Sequence, residues 1–143
     1  MKPGVALAAR ELAGRFRNDI LPELTGFRAN TTAMASAMLE MIAEDWDRTA
    51  FNLVAENRAT RELLRDGAQL LADPPLAEAA NGNDDDLHLS SLERENRRLR
   101  TALIELHARI EGRDDDLARD LEQAIWSELS RSVEARRMSS ANF

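Results

Sequence analysis

An all-α fold, an antiparallel helical bundle of four to five helices with an acidic flexible linker, is predicted by three features of this chain. The good helix formers Ala, Leu, Arg and Glu dominate its 143 residues. Six aromatic residues, no Tyr, six Gly and four Pro are too few β-formers and turn residues for a sandwich or barrel. Apolar residues also recur at spacings of three and four through most of the chain. Of the 43% that is hydrophobic, 23 residues are Ala, so little bulk is left to fill a core.

The elements follow in order as one helical domain, with N-terminal helices over 5–72, an acidic linker over 73–89, a C-terminal hairpin over 90–137 and a frayed tail over 138–143. The first helix is expected from Val5 to Leu21, with Val5, Ala9, Leu12, Phe16 and Ile20 on one face. Pro22 lacks a donor and crowds the carbonyl of Asn18, so it kinks or ends that helix. A second helix from Phe27 is expected to turn Met34, Met38, Leu39, Met41, Ile42 and Trp46 inward. Ala29, Ala33 and Ala37 beside them would admit a close neighbour and make this the central element. Asp47 or Thr49 can cap a new helix, which predicts a break between Asp45 and Asn52, and the apolar pattern then runs through Phe51, Leu53, Val54, Leu63, Leu64 and Leu70.

Asp73-Pro74-Pro75 ends that region, and Ala77 to Asp86 has the composition of a mobile loop. Ser90 and Glu93 form a capping-box pattern that starts a fourth helix, ending at Gly112. Asp114 is the expected cap of a fifth, whose buried ridge reads Leu117, Leu121, Ile125, Leu129 and Val133.

The net charge of −7 is uneven. Residues 1–72 carry −1, residues 73–91 carry −5 and residues 92–143 carry −1, so the acidity sits in the linker. No net positive field is present to attract a nucleic acid. The Arg94, Arg97, Arg98 and Arg100 cluster is preceded by Asp84-Asp85-Asp86 where a basic leucine zipper would need its DNA-reading segment. It reads as a solvated face, with Glu93 to Arg97 and Glu105 to Arg109 paired at i,i+4. No apolar run has the length of a bilayer span, and Val5 to Ala9 is too short for a secretory core, so a cytoplasmic location is expected.

No chemistry-bearing constellation is complete. The chain has no Cys, which removes thiolate ligands, disulfides and Cys nucleophiles. Its two His residues, His88 and His107, lack the Glu three positions earlier that a di-metal bundle requires. Neither Asp triplet has the alternation of a calcium loop, and phosphate-binding loops, dinucleotide fingerprints and nucleophile elbows do not occur. His107 reads as a surface partner of Glu111. No cofactor, metal ligand or catalytic residue is therefore expected.

The sharpest pattern lies on the fourth helix, where Leu89, Leu92, Asn96, Leu99, Leu103, Leu106 and Ile110 follow alternating steps of three and four. This is a heptad seam with Asn96 at an a position. It can join a second copy, with Glu95 facing Arg100 and Arg109 facing Asp114 across a parallel pair. It can equally receive the fifth helix of its own chain through the short Gly112-Arg113 connection. Met34, Met38, Met41 and Trp46 offer either core packing or an adaptable apolar pocket.

Residues 16–45 contain Ile20-Leu21-Pro22-Glu23-Leu24-Thr25-Gly26 followed by an Ala-rich helix ending Met41-Ile42-Ala43-Glu44-Asp45. This segment resembles the opening of a small uncharacterised bacterial helical-bundle domain family encoded near acyl-CoA dehydrogenases and phosphotransferase-like kinases. The resemblance implies an accessory role near acyl-thioester metabolism and carries over no functional residue. Together these readings predict a non-catalytic protein acting by association, as a homodimer or accessory subunit. The alternative is an apolar-ligand binder that uses the Met-lined helices.

Overall fold

The computed structural model describes residues 4–140, and among them every regular element is helical. The α-helices are α1 (Val5–Arg15), α2 (Gly26–Asp45), α3 (Thr49–Leu71), α4 (Pro74–Ala79), α5 (Leu89–Ile110) and α6 (Asp116–Ala135). They fall into two compact units, one of residues 1–49 with 137–143 and one of residues 50–136.

In the first unit Pro22 acts by a route other than a stop. The chain widens into a π turn over Phe16–Ile20 and tightens into a 3-10 turn over Leu21–Glu23. The Leu21 N–H donates to the Phe16 carbonyl, five residues back, which accommodates a ring that would otherwise press on Asn18. After Gly26, α2 returns against α1 as a hairpin. Its contact is made by small residues, Ala9 and Ala13 on α1 and Ser36 and Ala43 on α2, and the buried Ser36 hydroxyl donates to the Ala13 carbonyl at 2.9 Å.

Here the structure corrects the expected interior. Met34, Met38, Ile42 and Trp46 point outward, and the close approach uses Ser36 and Ala43 in place of Ala29, Ala33 and Ala37. Residues 46–48 form the turn between α2 and α3, inside the expected break.

The second unit holds the bulky core. Leu64, Leu92, Leu99, Leu106, Ile110 and Ile125 are its fully buried large apolar side chains, supplied by α3, α5 and α6. Phe51, Leu117 and Val133 are exposed, so the buried ridge of α6 is rotated from the expected one and runs through Ala118, Leu121, Ile125 and Ser132. The cap of α6 is Asp115 in place of Asp114, its carboxylate accepting from the Ala118 N–H at 3.0 Å. At α5 the expected Ser90–Glu93 box does not form, because the helix already begins at Leu89 with His88 as N-cap.

The bundle is not wholly antiparallel. Asn57 reaches Asn96, Arg61 reaches Glu95 and Gly67 lies against Leu106, so α5 runs parallel to α3. In contrast, α6 is antiparallel to α3: Asn52 near the start of α3 is bonded to the Ala135 carbonyl at the end of α6, while Leu70 near the end of α3 lies by Leu117 at the start of α6. A parallel neighbour requires the chain to travel back along α3, about 21 Å from Leu71 to the level of Asn57 at 1.5 Å per residue. The 73–89 segment makes that return. Ala72 takes the left-handed conformation (φ 50°) and lets the Asp73 N–H close on the Ala68 carbonyl at 2.9 Å. Asp73 then caps the unexpected α4 through the Leu76 N–H at 2.9 Å, with Pro74 in the first turn. Leu76 and Ala80 are buried, so this part of the linker belongs to the core.

Gly67 sets the separation of α3 and α5. A Cβ there would lie 2.5 Å from both δ-carbons and 3.0 Å from Cγ of Leu106, itself fully buried. Gly67→Ala gains about 1 kcal/mol of helix propensity but overpacks a filled site at a cost of about 1–3 kcal/mol. Urea titration should show net destabilisation, and Gly67→Ala combined with Leu106→Ala should recover part of it relative to Leu106→Ala alone.

Candidate functional site

Of the seven positions of the sequence-predicted seam, Leu92, Asn96, Leu99, Leu103, Leu106 and Ile110 are buried within the second unit, while Leu89 at the start of α5 is exposed. The face that could have received another copy is occupied by the chain's own α3, α4 and α6 residues. The charges that would flank an intermolecular seam are likewise used internally. Glu95 binds Arg61 and Arg98, Arg100 reaches Glu56 at 3.6 Å, and Arg109 pairs with Asp73.

Asn96 is held by Asn57, whose Oδ1 accepts from Asn96 Nδ2 at 2.9 Å. The Asn57 amide donates in turn to Asp84 Oδ1 at 2.8 Å, and Asp84 receives Arg61 through Nη1 at 2.5 Å and Nη2 at 3.1 Å. Arg61 also donates to Glu95 at 2.9 Å, and Arg98 grips both Glu95 oxygens while donating to the carbonyls of Ala79 at 2.8 Å and Asn81 at 3.0 Å. Arg98 first, then Arg61, holds the Glu95 carboxyl below its usual range. Gly82 completes the loop in a conformation that side chains disfavour (φ 113°), where a Cβ would stand 3.3 Å from Glu95. The acidic linker, expected to be mobile, is therefore fastened at Asp84 to the helices it crosses. Sequence reasoning missed Asn57, Arg61 and Asp84; the available signal was a pair of polar residues at i,i+4 among core-spaced Leu53, Leu64 and Ala68.

His107 faces α6, not its expected partner Glu111. Its Nε2 is 3.8 Å from Glu122, and its ring stands edge-on to Trp126 with centroids 5.5 Å apart. An open cavity of about 540 Å³ lies between α3 and α6, lined by Asp66, Gln69, Leu70, Leu117, Asp120, Leu121 and Ala124. None of Met34, Met38, Met41 or Trp46 lines it. Among the described residues no His, Asp and Glu cluster is grouped to hold a metal ion, and no helix is long and apolar enough to cross a membrane.

The remaining feature is the outer face of α2. Phe27 is 85% exposed, Met34 62%, Met38 57% and Ile42 49%, with Trp46 at its end 52%. At about 100° per residue Phe27, Met34, Met38 and Ile42, with half-buried Met41, share one side, opposite Ser36 and Ala43, and Trp46 follows at the flank of that side. Thr31 interrupts the stripe, yet its hydroxyl is turned back onto the Phe27 carbonyl at 3.0 Å. Sequence spacing singles out Met34, Met38, Met41 and Trp46 but not Phe27. A helix apolar on two opposite faces carries the signal that one face is left over once the hairpin closes.

At the C-terminal end of α2, Glu44 accepts four hydrogen bonds, from the N–H groups of Ser139 (2.9 Å) and Ser140 (3.0 Å) and from both hydroxyls. Residues 138–140 of the expected frayed tail are thus tied down, while 141–143 lie outside the described residues. These donors, the Ser139 N–H foremost, lower the Glu44 pKa from 4.5 to about 2.

Comparisons with protein-family models, curated proteins and solved structures gave no match for this chain.

Two outcomes follow. Arg61→Leu should cost about 3–5 kcal/mol by leaving the buried Asp84 carboxylate without its cation, and Asn96→Leu about 1–3 kcal/mol by orphaning Asn57 Oδ1; denaturant titration measures both, and neither should change the mass in solution. The Glu44 latch, whose carboxylate has a depressed pKa, should be intact above pH 4.5 and lost as pH falls through about 2. The Ser139 and Ser140 amide proton resonances should move upfield through that window, and Glu44→Ala should place them near the acid-end positions at neutral pH.

Proposed function

We propose that this protein works by association, through the outer apolar face of α2. One observation carries the reading: Phe27, Met34, Met38 and Ile42 form a continuous stripe of large apolar side chains, each about half exposed or more. Scattered apolar residues on a surface need no explanation, but a contiguous stripe marks a contact surface. The inside of the hairpin points the same way. It buries Ala9 and Ala13 of α1 against Ser36 and Ala43 of α2, which is little apolar area for two helices in water. Covering the four larger side chains contributes on the order of 5 kcal/mol per face.

Two sequence expectations are thereby relocated. Association moves from the heptad seam on α5 to α2, and the Met residues become contact residues. An accessory role beside acyl-thioester enzymes, which the resemblance of residues 16–45 implies, would use the same face.

Met34→Glu with Met38→Glu should leave the chain folded, since both positions are more than half exposed. In an extract of the source cells, the parent should sediment as a complex and the double variant as a single chain, with unchanged circular dichroism. Identical sedimentation of parent and variant would overturn the proposal.

A further inference from the structure

Resting on that reading, we infer that the partner of the α2 face is a second copy of this chain, packed antiparallel to the first about a two-fold axis at the level of Ser36. The argument is the charge pattern around the stripe. Arg28 borders its N-terminal end, Asp45 closes its C-terminal end, and between them the stripe is apolar apart from Thr31, with exposed Asn30 at its edge. Among the described residues neither the Arg28 guanidinium nor the Asp45 carboxylate has an ion-pair partner; the Asp45 backbone carbonyl accepts from Thr49 Oγ1 and the Arg48 N–H.

One cation and one anion stand eight and nine residues from Ser36, in opposite directions. A parallel copy would set Arg28 against Arg28 and Asp45 against Asp45, which is repulsive at both ends. An antiparallel copy sets each Arg28 beside the other copy's Asp45, so the face complements itself and closes with two-fold symmetry. The same operation places Met34 of one copy against Met38 of the other, two flexible side chains able to fill the centre of the seam. It also brings Phe27 to the level of the other copy's Trp46, so the largest side chains clamp the ends. Opposed helix directions add a favourable dipole alignment. The result is a four-helix bundle formed from two hairpins, with the larger apolar residues of α2 inside.

Because the chain has no native Cys, introduced thiols report the register. The full-length chain should sediment at twice its 16.0 kDa mass. Phe27→Cys chains mixed with Asp45→Cys chains should form a mixed disulfide on oxidation. Phe27→Cys alone should not, since its two copies would stand about 27 Å apart along the seam. Arg28→Glu and Asp45→Arg should each weaken self-association about threefold to tenfold, and the double variant should regain most of the loss.

A chain that stays monomeric at concentrations on the order of 100 μM overturns this inference. In that case, loss of the native complex in the Met34→Glu, Met38→Glu variant would still uphold association with another protein. Self-linking of Phe27→Cys, or no rescue in the charge swap, overturns the antiparallel arrangement. A dimer that survives Met34→Glu with Met38→Glu overturns both this inference and the use of the face.

Discussion

The burial of the Arg61 guanidinium is the constraint on which the larger unit depends. Its side chain is 5% exposed, and taking a cation out of water costs several kcal/mol unless anions and acceptors accompany it. Asp84 and Glu95 supply those anions, and they come from different segments, one from the linker and one from α5. Asn57 and Asn96 extend the same polar cluster across α3 and α5. The parallel pairing of these helices, the path of the return segment and the register of the seam are therefore coupled through one side chain. An apolar core of the same volume could be as stable, but it would not hold a nine-residue acidic segment in one place.

The scarce bulk of this composition is distributed unequally. In the second unit, core-spaced Leu and Ile residues of α3, α5 and α6 pack with Leu76 and Ala80, and Gly67 allows α3 and α5 to approach until Leu106 fills the gap. In the first unit the interior is Ala and Ser, and the Met, Phe and Ile residues are outside. The same sequence thus builds a self-sufficient core in one unit and leaves an uncovered apolar stripe in the other. The proposed association rests on that difference.

Much of this was legible in the residues. The break after Asp45, the helical spacing of α5 and the Asp-capped start of α6 are local, and propensity, capping and periodicity act within a few residues. What misled was in each case non-local. A heptad pattern records that a face will be buried without recording by whom, so Leu92 to Ile110 could not distinguish an intramolecular seam from a dimer. The run Asn83 to Asp86 is polar enough to be mobile by composition, and only the approach of Arg61, more than twenty residues earlier, gives Asp84 a buried partner. On α2 the choice of inward face depended on Ala9 and Ala13, whose small side chains select Ser36 and Ala43 as neighbours.

By itself the sequence determined that this chain is helical, where most helices begin and end, and that it carries no recognisable catalytic or metal-binding motif, because those properties are encoded at short range by residue type and spacing. Only the tertiary structure decided that the acidic linker is a fastened crossover, that Asn96 serves the chain's own core, and that the Met residues face outward. Those outcomes turn on which surfaces meet, and burial, the dominant energy in the fold, belongs to pairs of distant surfaces and to no single segment.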